Sequence, residues 1–349
     1  MQEKAPSSGH PGYRQRLSVS VFTPPVGLRG PHVQSIIARV GLRRARVNAA
    51  AQPLLSASED LIADVGEGVR LLVHHTPPQD RASGQGFGQT AVLLHGWEGS
   101  AAATYVLSAS TRLWNAGYRI VRINLRDHGP SHHLNEELFH SCRLDEVSGA
   151  VAWVQARYPQ EKLVLIGSSL GGNFALRIAA RAQIAGLKIE RVLAICPVLD
   201  PEETMHALDH GSVIYQRYFM KRWRHSLELK KAAFPGRYDF TRLERFRTLG
   251  EMTDHFVRHY TEYSDMQTYL RGYALTGERL SGLRVPSIML LAEDDPVIPV
   301  GALDRVARPA CLRIDTTSYG GHCGFIEDYR LNSWSDRYVL NALGLTAVT

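Results

Sequence analysis

The sequence predicts an α/β fold, a mostly parallel sheet with helices on both faces and a helical insertion late in the chain. Three observations lead there. From Thr90 to Ile195, apolar runs of strand length alternate with amphipathic runs of helical length, the pattern of right-handed strand-helix-strand crossovers. Within that alternation, Val164-Leu165-Ile166-Gly167-Ser168-Ser169-Leu170-Gly171-Gly172-Asn173 reads as strand, sharp turn and helix. After Pro197 the alternation stops, and residues 200–282 show helical periodicity rich in Tyr, Phe, Trp and Arg, without clear strands. The 349 residues are more than one compact core usually holds, which points to one main domain carrying an inserted subdomain. The expected division is a flexible tail over 1–16, core over 17–199, a helical lid over 200–282, and core again over 283–349.

Composition narrows the class. Hydrophobic content of 44% and charged content of 21% are ordinary for a globular protein. The 40 Lys and Arg against 34 Asp and Glu give a pI near 9.2. Nucleic-acid binding would gather such an excess into one stripe, so no nucleic-acid partner is expected. A modest affinity leaves room for peripheral contact with an acidic membrane surface. Cys142, Cys196, Cys311 and Cys323 are widely spaced, unlike a zinc site or a disulfide framework, and fit a reducing cytoplasm. Residues 1–16 lack the apolar stretch of a secretory signal, and no apolar run has transmembrane length. A cytoplasmic protein is expected, and its oligomeric state is not readable.

Taken in order, Leu17–Phe22 alternates like a strand, and a helix enters through Pro31 with His32 at its start packing locally. Arg39, Arg43, Arg44 and Arg46 read as a solvated edge rather than a phosphate patch. Strands are expected at 45–48, 60–64 and 69–75, the last two joined by a Gly66-Glu67-Gly68 hairpin, as an antiparallel edge on the parallel sheet. Residues 77–89 form a Pro-, Gly- and Ser-rich loop. Strands at 91–94, 119–123, 163–166 and 192–195 then alternate with helices at 105–115, 144–157 and 173–182. In the insertion, Arg217, Lys221, Arg222, Arg224, Lys230 and Lys231 read as the polar face of a helix, with anionic headgroups or acyl-CoA phosphates as the other reading. Strands at 287–292 and 311–314 and a helix over 327–342 close the domain.

The chemistry lies at strand ends, where open α/β sheets place their sites. A turn as sharp as that at Ser169 strains the backbone and crowds its neighbours, so the positions two before and two after must be small. Gly167 and Gly171 satisfy this. Ser169, rather than Ser168, is then the exposed nucleophile, with a helix N-terminus beside it. By itself the pattern is weak, since average composition produces one in a chain this long roughly once in ten. A Ser nucleophile needs a base, and the base a carboxylate. Residues 290–299 run from an apolar strand into Glu293-Asp294-Asp295-Pro296, and Gly320-Gly321-His322-Cys323-Gly324 follows the last strand. Asp295, four before Pro299, is the expected acid, with an N-cap as its other role; Asp294 and Glu293 are read as solvated or capping. His322 is the expected base, and Cys323 a small apolar filler. The order Ser, Asp, His is that of α/β-hydrolases.

His95-Gly96-Trp97-Glu98-Gly99-Ser100 follows the strand at 91–94 and supplies the other half of an oxyanion hole, its donors being the backbone N–H groups of Trp97 and Leu170. His95 itself is expected to be a buried hydrogen-bonding partner. His128, His132 and His133 cluster in the loop from Arg126, but no helix or strand fixes a metal-ligand spacing. That loop is expected at the pocket rim, with neither metal nor cofactor.

Gly30-Pro31-His32-Val33-Gln34-Ser35-Ile36, the Trp97 and Ser169 motifs, Asp294-Asp295-Pro296 and Gly320-Gly321-His322-Cys323-Gly324-Phe325 together resemble the YheT-like branch of α/β-hydrolases, related to the eukaryotic ABHD lipases. The resemblance runs from about Phe22 to the C-terminus. It implies a cytosolic or peripheral serine esterase acting on lipid-like carboxylic esters, with Ser169, Asp295 and His322 in the triad positions. Trp97 in place of Leu, Ser168 in place of Phe and the His-rich loop depart from the branch and bear on substrate preference. Acyl transfer by the same triad and a non-catalytic binding protein are the alternatives. Against the first, the residue five after His322 is Glu327, so a His-x4-Asp box is not formed there.

Overall fold

The computed structural model describes residues 22–79 and 88–345. The expected tail over 1–16, nearly all of the strand at 17–22 and most of the loop at 77–89 lie outside the described residues. In chain order the elements are α1 (Pro31–Ile37), α2 (Gly41–Ala50), α3 (Gln52–Ser56), β1 (Glu59–Asp64), β2 (Arg70–Thr76), β3 (Gln89–Leu94), α4 (Thr104–Asn115), β4 (Arg119–Ile123), α5 (Leu144–Arg157), β5 (Lys162–Ser168), α6 (Leu170–Arg181), β6 (Ile189–Ile195), α7 (Pro201–His210), α8 (Val213–Ala233), α9 (Leu249–Tyr260), α10 (Met266–Gly272), β7 (Ser287–Ala292), β8 (Leu312–Thr317) and α11 (Trp334–Ala342).

The eight strands form one sheet in the order β1-β2-β4-β3-β5-β6-β7-β8. From β4 to β8 all neighbours are parallel, while β2 runs antiparallel to both β1 and β4. The β1–β2 hairpin turns at Gly66, Glu67 and Gly68, all three at positive φ, where glycine carries no Cβ penalty.

Strand pleating sorts the core into two layers. Val92 and Leu94 of β3 face the cluster that holds Val147 and Val151 of α5 and Leu176 of α6. Ala91 and Leu93 face the opposite cluster, with Val106 and Leu113 of α4 and Val339 of α11. Helices therefore cover both faces, and the loops at the C-terminal ends of β3, β5, β7 and β8 share one rim.

Between β6 and β7 the chain makes α7 to α10, without a strand among the described residues. Local chemistry starts these helices well. Asp200 accepts the N–H groups of Glu202 and Glu203 ahead of Pro201, and Thr248 with Glu251 forms a capping box on α9. α8 buries Tyr215, Phe219, Met220, Trp223, Leu227 and Lys230 on one side, a helical spacing.

Four sequence expectations are corrected. Residues 45–48 are helical within α2, where Ala45, Ala49, Ala50 and the arginines are good helix formers and the helix packs on α4. The final helix starts at Trp334, not Glu327, because residues 327–333 close a turn in which Asp328 accepts from Asn332 and Ile326 bridges Ser333. The arginine run is not wholly solvated: Arg43 is buried, 3.8 Å from Asp336 of α11, and donates to Leu331 O. Nor is the α8 charge run wholly a polar face, since Lys230 is fully buried.

Candidate active site

Ser169 sits between β5 and α6 with φ 54° and ψ −122°, a conformation an L-residue adopts only when its surroundings impose it. The imposition is visible in the glycines. A Cβ on Gly167 would lie 2.2 Å from Gly171 O, and one on Gly171 would lie 2.3 Å from Leu94 O and 2.6 Å from His95 O. Gly171→Ala must therefore push β3 away from α6, at a cost of about 1–3 kcal/mol or more. Thermal unfolding is expected to show the loss, together with slower modification of Ser169 by a fluorophosphonate.

The loops after β7 and β8 bring two more residues to Ser169. His322 Nε2 lies 3.0 Å from Ser169 Oγ, and His322 Nδ1 lies 2.8 Å from Asp295 Oδ2. An ionised carboxylate only accepts, so Nδ1 carries the proton and Nε2 is left to accept from the Ser169 hydroxyl. The other oxygen of Asp295 accepts the N–H groups of Val297 and Ile298, at 2.8 and 2.9 Å. No helix starts at Asp295, the next short helical turn being entered at Pro299, so the N-cap reading is corrected: these two bonds close a side-chain turn that holds the carboxylate toward His322. Burial lowers the pKa of His322, but the adjoining Asp295 carboxylate and Cys323 together outweigh it, and the pKa is raised above the ordinary 6.5.

The histidine loop is held by residues far away in sequence. His322 N–H donates to Ser35 Oγ at 2.8 Å, and Gly321 N–H donates to Asp294 Oδ1 at 2.8 Å. Gln34, fully buried, donates to Leu28 O and Ile326 O and accepts from Ile326 N–H. Gly321 and Gly324 allow this approach, since Cβ atoms there would meet Pro31 O at 2.3 Å and Gln34 O at 2.5 Å. Asp294 is therefore a brace of the loop, not a solvated residue. His32 does not bond locally as expected: its Nδ1 lies 3.0 Å from Tyr215 Oη on α8, far away in sequence. Neither Gln34 and Ser35 nor Arg39, which donates to His322 O at 3.3 Å, was singled out by sequence reasoning for this work. The small-residue spacing around His322 was the signal that something packs against it.

Trp97 follows β3, and its ring stacks on Phe219 of α8 at 5.3 Å and meets Trp223 edge-on at 5.4 Å. Among the described residues neither Trp97 N–H nor Leu170 N–H is used in a backbone hydrogen bond, and both residues line the same cleft as Ser169. The Trp97 loop is fixed by two buried histidines. His95 Nδ1–H donates to Gly96 O and its Nε2 accepts Leu125 N–H; His128 Nδ1–H donates to Arg126 O and its Nε2 accepts Glu98 N–H. Burial keeps both neutral, His95 lowered to about 4 and His128 well below its ordinary value. His95 fills the hydrogen-bonding role expected of it.

The loop from Arg126 is not at the rim as expected. It is largely buried behind the Trp97 loop, with His132 beside Ser226 and Pro130 and His133 exposed. No cluster of His, Cys, Asp or Glu able to hold a metal occurs among the described residues. Cys323 is buried against Ile195 O. Ser169 opens into a mostly apolar cleft walled by Val198, Leu208, Phe219, Trp223, Phe256 and Tyr273, enclosing about 790 Å³ including its mouth.

The model of the α/β hydrolase fold family matches residues 91–329. The chain belongs to that family. It is 23% identical over 313 residues to YheT of Escherichia coli (strain K12), a candidate esterase by its name, with 88% of each chain covered. It is 22% identical over 214 residues to monoacylglycerol lipase ABHD2 of Danio rerio, covering 56% of this chain and 50% of that one; the chain thus spans about half the length of this relative. Both belong to the branch that the motifs around Trp97, Ser169 and His322 resemble. Among solved structures, 2,6-dihydroxy-pseudo-oxynicotine hydrolase shares the fold with a TM-score of 0.56 and 17% identity, over 87% of this chain and 73% of that one. Among the described residues no helix is long and apolar enough to cross a membrane.

Proposed function

We propose that the protein is a serine carboxylesterase acting on lipid-like or short to medium acyl esters. The observation that carries this is the continuous chain from Ser169 Oγ through His322 to Asp295, at 3.0 and 2.8 Å, opening on an apolar cleft. Ser169 Oγ attacks the ester carbonyl carbon while His322 Nε2 takes its proton. The N–H groups of Trp97 and Leu170 receive the oxyanion, helped by the positive end of α6. On collapse the bond to the alcohol oxygen breaks, and His322 returns its proton to that oxygen. Water, deprotonated by His322, then releases the acyl group and frees Ser169. Asp295 holds His322 in the required tautomer throughout. The segment over 200–282, with α7 to α10, acts as a lid whose inner side holds the acyl chain. The kinship with YheT and the ABHD lipases supports an ester hydrolase.

Fluorophosphonate labelling followed by peptide mapping tests this: the adduct is expected on Ser169, with concomitant loss of p-nitrophenyl ester turnover. Labelling elsewhere, or none, excludes it. The pH dependence is a second test. His322 must be neutral to act as base, and its pKa is raised, so kcat/KM is expected to climb with pH along a limb whose midpoint lies above 6.5.

A further inference from the structure

Two clefts meet at Ser169, and their chemistry differs. The first is the apolar one walled by α7 to α10. The second shares Trp97, Phe219 and Ser169 with it, but is otherwise lined by the loop from Gly96 to Thr104 with Arg39, Arg44, Tyr218 and Arg222, and it alone is lined by His322. It encloses about 740 Å³ including its mouth.

Three guanidinium groups border this second cleft, and among the described residues no carboxylate oxygen lies within 4.0 Å of any of them. Arg39 spends Nη2 on His322 O and lies over the Tyr105 ring, while its buried Nε has no partner. Arg222 spends Nη2 on Glu98 O at 2.8 Å, and Arg44 is exposed. Glu98 lines the same cleft, and burial pushes its carboxyl up to about 8, so it is mostly uncharged at neutral pH. The charged carboxylate that acts on Arg39 is Asp295, already engaged by His322, so the positive charge of the cleft is compensated only in part. The N-terminus of α4 adds to the same side: Ala103 stands at the N-cap with no side-chain acceptor and no acid follows in the first turn.

The tetrahedral carbon on Ser169 carries three other groups, and their places follow from chemistry. The oxyanion belongs at Trp97 and Leu170. The acyl chain belongs in the apolar cleft. The alcohol oxygen must lie beside His322, which protonates it, and His322 lines the basic cleft only. We propose that the basic cleft holds the alcohol portion of the ester, and that this alcohol carries an anionic oxyacid group, a phosphate monoester or a carboxylate, received by Arg39, Arg44 and Arg222. This rests on Ser169 being the nucleophile.

The test compares butyrate esters that differ only in the alcohol: glycerol, glycerol 3-phosphate and glycolate, with p-nitrophenyl butyrate as reference. At low ionic strength kcat/KM is expected to be at least about tenfold higher for an anionic alcohol than for glycerol, the ratio shrinking as salt is added. The phosphate and carboxylate arms separate the two oxyacids. Arg44→Gln and Arg222→Gln are each expected to lower the anionic-to-neutral ratio about three- to tenfold, mainly through KM, with Lys at either position restoring part of it. A protein that turns over p-nitrophenyl butyrate yet favours glycerol, or whose ratio ignores both substitutions, overturns the anionic alcohol and leaves the esterase standing. Absence of both turnover and labelling overturns the two together.

Discussion

Ser169→Ala protein is expected to fold normally and to lose ester turnover by on the order of 10⁴- to 10⁶-fold, with fluorophosphonate labelling abolished. The substitution removes only Oγ, whose one hydrogen bond among the described residues is to His322, so thermal unfolding should change little. His322→Ala should fall as far, and the double variant no further, because in the proposed mechanism nucleophile and base act as one unit. Asp295→Asn differs in kind. Its remaining oxygen can still accept from Val297 and Ile298, but its amide cannot accept from His322 Nδ1–H. A loss of about 10⁴ in kcat is expected, measured as initial rates on p-nitrophenyl butyrate. A Ser169→Ala protein with wild-type turnover would move the nucleophile elsewhere.

Lys230→Met is expected to be the most destabilising change far from the nucleophile. Lys230 Nζ donates to Asp127 Oδ1 at 2.8 Å, to Asn135 O at 2.5 Å and to Glu137 O at 3.0 Å, all under α8. One ammonium therefore fastens the insertion to the loop that backs Trp97. Without it Asp127 is a buried carboxylate that has lost its ion-pair partner, with only the more distant Arg126 acting on it among the described residues, a situation that costs about 3–5 kcal/mol. Burial already raises the Asp127 pKa with Lys230 present, the ion pair pulling it down only in part. Removing the lysine raises it further, so the deficit should shrink as pH falls and Asp127 takes a proton. Adding Asp127→Asn should recover part of the loss at neutral pH. Chemical denaturation of the wild-type protein and these two variants across pH checks both statements, and a pH-independent deficit would refute them.

The sheet, the elbow and the rim positions of Ser169, Asp295 and His322 were legible because each is written locally. Strand period, Gly spacing and the acidic turn before Pro299 all lie within about ten residues. What was missed depends on partners far away in sequence. Arg43 and Lys230 look like any charge in a run, and only Asp336 and Asp127, brought close by the fold, make them interior residues. Residues 45–48 alternate like a strand for four positions, too few to outweigh the helix that α4 favours. Ser35 and Gln34 carry no chemistry of their own, so their hold on the His322 loop is invisible until α1 is seen beside it.

The Trp97 contacts with Phe219 and Trp223 have a consequence for selectivity. In the proposed mechanism its backbone donates to the transition-state charge, while its ring helps wall the cleft for the acyl chain. An acyl group that fits poorly would tilt the ring and with it the donor. Chain length would then be discriminated in the speed of the chemical step rather than in the tightness of the ground-state complex, and esters that bind equally well would still be sorted by their rates.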